Sequence, residues 1–158
     1  MLEIREASIS DAKTLVTLIR ELAVYEKLDD ICAIDETMMR EALHGKTAYA
    51  LLASVDSVAV GYAVYYFTFS TFTGLPSLYL EDLYVKPEYR SQGIGTSFFN
   101  KIANIATLHN CQRIDFACLK WNTNSLKYYA SLGASIMDDW HLVRMEKDAI
   151  RNLTENII

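Results

Sequence analysis

Apolar positions along the chain change their spacing at definite points, and the spacing predicts the elements. Leu2 to Glu6 reads as a short first strand. Ser10-Asp11 then offers a helix N-cap, and Leu15, Leu18, Ile19 and Leu22 recur at helical spacing as far as about Lys27. Asp35-Glu36 opens a second helix that runs to His44 and closes at Gly45. Thr47 to Ser54 and Val58 to Phe69 are rich in β-branched and aromatic residues, with Asp56-Ser57 between them as a tight hairpin turn. Ser70 to Ser77, carrying Gly74 and Pro76, reads as a loop, and Leu78 to Val85 as the next strand. The helix after Gly93 gathers Phe98, Phe99, Ile102, Ile105 and Ala106 on one face and ends near His109-Asn110. Arg113 to Leu119 follows as a strand, and Asn122 to Leu132 as a short helix stopped by Gly133. Ala134 to Met137 and Trp140 to Met145 read as two further strands, and Glu146 to Ile158 as a short helix or partly loose tail.

That order, βααβββαβαββ, predicts a mixed α/β sheet rather than a regular βαβ alternation, in one domain over residues 1–158. With 51% hydrophobic and 22% charged residues, the chain has the composition of an ordered core. A formal net charge of −5 argues against a nucleic-acid partner and suits a cationic one. Cys32, Cys111 and Cys118 are odd in number and lack metal-ligand spacing, as reduced thiols of a cytoplasmic protein do. His44, His109 and His141 are scattered, so no metal is expected. Met1-Leu2-Glu3-Ile4-Arg5 is strand-like and charged rather than a leader, and no apolar run is long enough for a membrane span.

Candidate chemistry concentrates between Leu80 and Thr96. An apolar strand runs into a Pro87-marked turn and then into Arg90-Ser91-Gln92-Gly93-Ile94-Gly95-Thr96, which opens a helix. Backbone N–H groups at a helix N-terminus, backed by the helix dipole, bind anionic oxygens. Gly93 and Gly95 allow close approach of the backbone, and Arg90 adds a planar cation. No Gly-Lys-Ser/Thr follows, and the third glycine of a dinucleotide fingerprint is missing. A pyrophosphate loop of another kind remains, with the acids Glu81 and Asp82 just upstream.

The element order with Arg90-x-x-Gly93-x-Gly95 at the third helix resembles the GNAT superfamily of acetyl-CoA-dependent N-acetyltransferases. Further motifs are similar to its diamine (spermidine/spermine) and thialysine N-acetyltransferase group. They are Tyr65-Tyr66-Phe67-Thr68, Tyr79-Leu80-Glu81-Asp82, Pro87-Glu88-Tyr89-Arg90, Trp121-Asn122, Tyr128-Tyr129, Leu132-Gly133-Ala134 and Asp139-Trp140. The resemblance implies a strongly bent mixed sheet flanked by helices, with acetyl-CoA in a V-shaped cleft and no metal. It implies that the backbone of Leu83, Tyr84 and Val85 pairs with the pantetheine arm. The amides of Arg90, Ser91, Gln92, Gly93, Ile94, Gly95 and Thr96 would hold the pyrophosphate, with Asn122 and Ser125 also touching the cofactor.

By the same resemblance Glu81 assists deprotonation of the amine, and Tyr129 protonates the departing CoA thiolate. An alkyl ammonium titrates near pH 10, so an attacking amine has to lose a proton. Tyr25, Glu26, Glu81 and Asp138 are the substrate-side candidates. Asp82 is expected to be structural, because strand alternation turns it away from Glu81. Polyamine-specific members carry an acid and a Trp where this chain has Ser70 and Phe72, and Leu75-Pro76 alters the same loop. A lysine-like amine is therefore as credible an acceptor as spermidine. A homodimer is implied. The competing expectations are a protein amine or aminoglycoside-like acceptor, and an acyl-CoA-binding module without turnover.

Overall fold

The computed structural model describes residues 1–155 and divides into two compact units, 1–117 and from 118 onward. The first unit holds one five-stranded sheet in the order β1-β2-β3-β4-β5. β1 (Leu2–Glu6), β2 (Tyr49–Val55), β3 (Val58–Ser70) and β4 (Leu75–Val85) pair antiparallel in turn, and β5 (Ile114–Phe116) joins β4 in parallel. α1 (Ala12–Glu26) and α2 (Glu36–His44) enter between β1 and β2, and α3 (Ile94–Leu108) lies between β4 and β5.

The local causes are legible in the backbone. Arg5 forks onto Asp11 at 2.7 and 2.8 Å, and the Ser8 N–H donates to the same carboxylate at 2.7 Å. The guanidinium holds the Asp11 carboxyl well below the usual range and ties β1 to the entry of α1. Asp35 caps α2 by accepting from the Met38 N–H at 2.8 Å. Asp56 and Ser57 both have positive φ, as the two-residue loop of a type I′ hairpin requires.

Two clusters fill the two faces of the sheet. Leu51, Ala63, Leu78 and Leu80 meet Phe98, Ile102 and Ile105 of α3. On the other face Leu52, Tyr62, Val64 and Tyr84 meet Leu15, Val16 and Leu18 of α1. Gly61 permits the close packing on β4: a Cβ there would stand 2.5 Å from the Tyr84 carbonyl oxygen and 3.3 Å from Phe98.

Several expectations are corrected. The loop predicted over Ser70–Ser77 shrinks to residues 71–74, because Leu75 and Pro76 pair with Ser70 and Phe69 at the start of β4. Proline is tolerated at a strand's beginning, so it did not mark a loop here. The strand predicted over Arg113–Leu119 is limited to Ile114–Phe116. The second unit contains α4 (Thr123–Ser131) and α5 (Lys147–Glu155), and the strands predicted at Ala134–Met137 and Trp140–Met145 do not form. Their strand-like residues are exposed, and a strand exists only where another backbone pairs with it. Of the predicted tail, α5 accounts for the stretch to Glu155, and the rest lies outside the described residues.

Candidate active site

β4 outruns its parallel neighbour. β5 accompanies it only at Leu78–Leu80, whereas β4 continues to Val85 alongside β3. The Lys86 N–H donates to the Val60 carbonyl at 2.9 Å, so Lys86–Val60 and Tyr84–Tyr62 are the hydrogen-bonded pairs of this ladder. The N–H and C=O groups of Leu83 and Val85 consequently turn to the opposite edge, where β5 has ended. Tyr84 turns its backbone to β3 and contributes its ring instead.

Between Leu80 and Asp82 the ladder slips. Val64 faces Asp82 while Tyr65 faces Leu80, which leaves Glu81 as the extra residue of a β-bulge. The bulge cancels the alternation that would have sent Glu81 and Asp82 to opposite faces. Asp82 accepts from the Tyr62 hydroxyl at 3.0 Å, and Glu81 accepts from the Tyr66 hydroxyl at 3.2 Å. Tyr62 and Tyr66 are four residues apart on β3 and share the face that carries α1. The expectation that Asp82 points away from Glu81 is thus overturned by one inserted residue.

The electrostatics follow from this crowding. Burial pushes the Asp82 carboxyl up to about 6; the Tyr62 hydrogen bond opposes the rise, and the charges of Glu81 and Glu26 add to it. Burial also raises Glu26, the last residue of α1. Burial, with the neighbouring Asp82 charge, raises Tyr62 far above the phenol range, so its hydroxyl remains a donor. Three carboxylates from α1 and β4 therefore face a common region, which favours a cation.

Arg90 and Tyr25 meet directly. The Arg90 Nε donates to the Val85 carbonyl at 2.9 Å, and its guanidinium lies over the rings of Tyr25 (4.6 Å) and Tyr84 (5.7 Å). Glu21 of α1 accepts from the Tyr84 hydroxyl at 3.3 Å and pairs with Lys86 at 3.1 Å. The glycine loop is thereby joined to the end of α1.

In the loop itself, Ser91 and Gly93 have φ values of 60° and 79°, and Gly93 is the N-cap of α3. A Cβ on Gly93 would meet nothing within 4 Å, so the space above the loop is open to a ligand. Ile94 is buried beneath the first turn while Gln92 and Thr96 are exposed. An open loop at a helix N-terminus, beside an edge carrying outward backbone groups, fits the pyrophosphate and amide arm of acetyl-CoA.

Asn122, Ser125, Tyr129 and Asp138 belong to the second unit. Asn122 caps α4 by accepting from the Ser125 N–H at 3.3 Å. Tyr129 is half-buried within α4, and Asp138 is exposed beyond it. A hollow of about 440 Å³ lined by Glu6, Ser8, Ser10, Tyr49 and Tyr65, among others, includes none of the predicted site residues. Among the described residues no His, Cys, Asp or Glu cluster could hold a metal, and no helix is long and apolar enough to cross a membrane.

Sequence reasoning missed Tyr66 and Tyr62 as partners of these acids, and it read Asp82, though named beside Glu81, as structural. The four-residue spacing of the two tyrosines on one strand face was a usable signal; the bulge that brings the acids to them was not.

Comparison with known proteins identifies the family. The profile of the acetyltransferase (GNAT) family matches residues 15–134. The chain is 41% identical to a thialysine N-epsilon-acetyltransferase of Bos taurus, with 95% of each chain covered. An integron cassette protein from the mobile metagenome of V. cholerae superposes with a TM-score of 0.82 at 27% identity, covering 98% of both chains. A predicted acetyltransferase of Clostridium acetobutylicum, solved with acetyl-CoA, has the same fold at a TM-score of 0.76 and 20% identity, over 91% of this chain and 96% of that one. The chain belongs to the acetyltransferase (GNAT) family and is an N-acetyltransferase.

Proposed function

We propose that this enzyme acetylates the side-chain amine of a small, lysine-like cationic molecule of the thialysine type. The bulge at Glu81 carries the reading, because it places two carboxylates on one face of β4 beside Glu26. The similarity to a thialysine N-epsilon-acetyltransferase of Bos taurus points to the same acceptor class. Acetyl-CoA supplies the acetyl group as a thioester.

The Glu81 carboxylate accepts the proton that the substrate ammonium must lose, and the amine nitrogen then attacks the thioester carbon. As the C–N bond forms and the C–S bond breaks, the Leu83 N–H, turned to the open edge of β4, donates to the acyl oxygen. Tyr129 donates its hydroxyl proton to the departing sulfur. The surplus proton that the nitrogen sheds on forming the amide passes through water to the tyrosinate and restores the phenol, while Glu81 releases its proton to solvent. Glu26, Tyr25 and Asp138 receive the acceptor's remaining cationic part. Leu83 and Val85 hold the pantetheine arm, and the loop from Arg90 to Thr96 holds the pyrophosphate, with Asn122 and Ser125 as further cofactor contacts.

In this reading the whole chain is one acetyltransferase domain, supported by a family match that runs across the boundary between the two units. The enzyme works as a cytoplasmic homodimer on free amines. Release of CoA across thialysine, lysine, putrescine, spermidine, spermine, a peptide lysine and an aminoglycoside tests the acceptor. Thialysine or lysine should give the highest kcat/KM, Tyr129→Phe should lower kcat about tenfold or more, and acetyl-CoA affinity should hold. A preference for the peptide or the aminoglycoside would replace the acceptor class. An unchanged kcat would remove Tyr129 from the proton transfer.

A further inference from the structure

The Glu81 carboxylate stands on a bulge, where ladder hydrogen bonding is interrupted, and its side chain is exposed. An exposed carboxylate on an irregular strand has several rotamers open to it. Among the described residues, the Tyr66 hydroxyl restrains this one by donating to Oε2 at 3.2 Å. Tyr66 is itself restrained, since its ring stacks on Tyr79, directly opposite on β4, with centroids 5.2 Å apart and planes at 26°. The stack fixes the ring, the ring fixes the hydroxyl, and the hydroxyl fixes the carboxylate.

Resting on the acceptor reading above, we propose that Tyr66 is a positioning residue for proton removal. Its hydroxyl holds Glu81 in the orientation that takes the acceptor's proton, and Tyr79 holds Tyr66. Burial and the Glu81 charge push the Tyr66 hydroxyl up to about 12, which keeps it a donor through the working range. With its only proton given to Glu81, the phenol oxygen still has lone-pair capacity toward an N–H of the same ammonium. Tyr66 therefore restrains the carboxylate without neutralising it.

The test separates a positioning role from a general loss of integrity by varying the acceptor. Tyr66→Phe removes the hydroxyl and leaves the ring to stack on Tyr79. On lysine or thialysine, whose amine must be deprotonated, kcat should fall about tenfold while the KM for acetyl-CoA stays within about twofold. On the aminooxy analogue of lysine, which reaches the site as the free base, the loss should be less than about threefold. In a Glu81→Gln background the second change should add nothing further, because the hydroxyl acts through Glu81. Equal losses on both acceptors, or a full additional loss in the Glu81→Gln background, would overturn the role of Tyr66 while leaving the acceptor reading intact. Absence of turnover of any amine by the unaltered protein would overturn that reading and this one together.

Discussion

At the scale of the residue, Asp82 is the most consequential departure from strand alternation. A buried carboxyl with its pKa near 6 is protonated more readily in the folded chain than in the unfolded one, where it titrates near 3.9. Below about pH 4 both states are neutral at this position, and burial carries no charge penalty. Between pH 4 and 6 the unfolded chain releases the proton first, so stability falls as pH rises, and above 6 the penalty is complete. Two pKa units correspond to roughly 3 kcal/mol, an upper figure for a group held by one hydrogen bond. Asp82→Asn stays neutral throughout and still accepts from Tyr62. The variant should unfold about 1–3 kcal/mol less readily than the parent at pH 8 and equally readily near pH 4. Parallel denaturation curves at the two pH values would show that Asp82 is not strained by burial.

At the scale of the element, the glycine loop rests on backbone dihedrals more than on side chains. Gly93 sits at φ 79° as the N-cap of α3, a conformation that costs an L-residue roughly 1 kcal/mol. Its absent Cβ points into open space, so the protein would lose nothing else from a methyl there. Gly93→Ala should therefore destabilise the fold only slightly, yet raise the KM for acetyl-CoA severalfold by occupying the space of the phosphates. Thermal melts and initial rates measure the two effects separately, and an unchanged KM would place the pyrophosphate elsewhere.

Helices and caps of this kind were legible in the sequence. Asp35 and Gly133 marked helix ends, and the spacing of Leu15, Leu18 and Leu22 and of Phe98, Ile102 and Ile105 marked buried faces. Strand limits were less legible, because pairing decides them: Leu75 and Pro76 became strand through Ser70 and Phe69, whereas Trp140 to Met145 has no partner strand among the described residues. The bulge was invisible for the same reason, since a register slip belongs to two strands at once. The motif residues Glu81 and Gly93 could be singled out from the sequence. Asp82 was named beside Glu81 but read as structural, and the tyrosine partners Tyr66 and Tyr62 emerged only once β3 was laid beside β4.

At the scale of the whole molecule, charge does what no single contact can. The net charge of −5 is accompanied by a local gathering of Glu26, Glu81 and Asp82, with Glu21 close by through Tyr84. Such a field attracts a cationic acceptor before contact and raises its encounter rate. Screening shortens its reach: the Debye length falls from roughly 20 Å at 20 mM salt to about 6 Å at 300 mM. For lysine methyl ester, a dication below the pKa of its amines, kcat/KM should fall about three- to tenfold over that range. The aminooxy analogue of lysine has no net charge in the same buffer, and its kcat/KM should change less than about twofold. Glu26→Gln removes one charge of the cluster without touching the nucleophile, and should flatten the salt dependence for the dication. Equal slopes for the two acceptors would mean that the carboxylates act only on contact, and that the acidity of the molecule as a whole contributes nothing to capture.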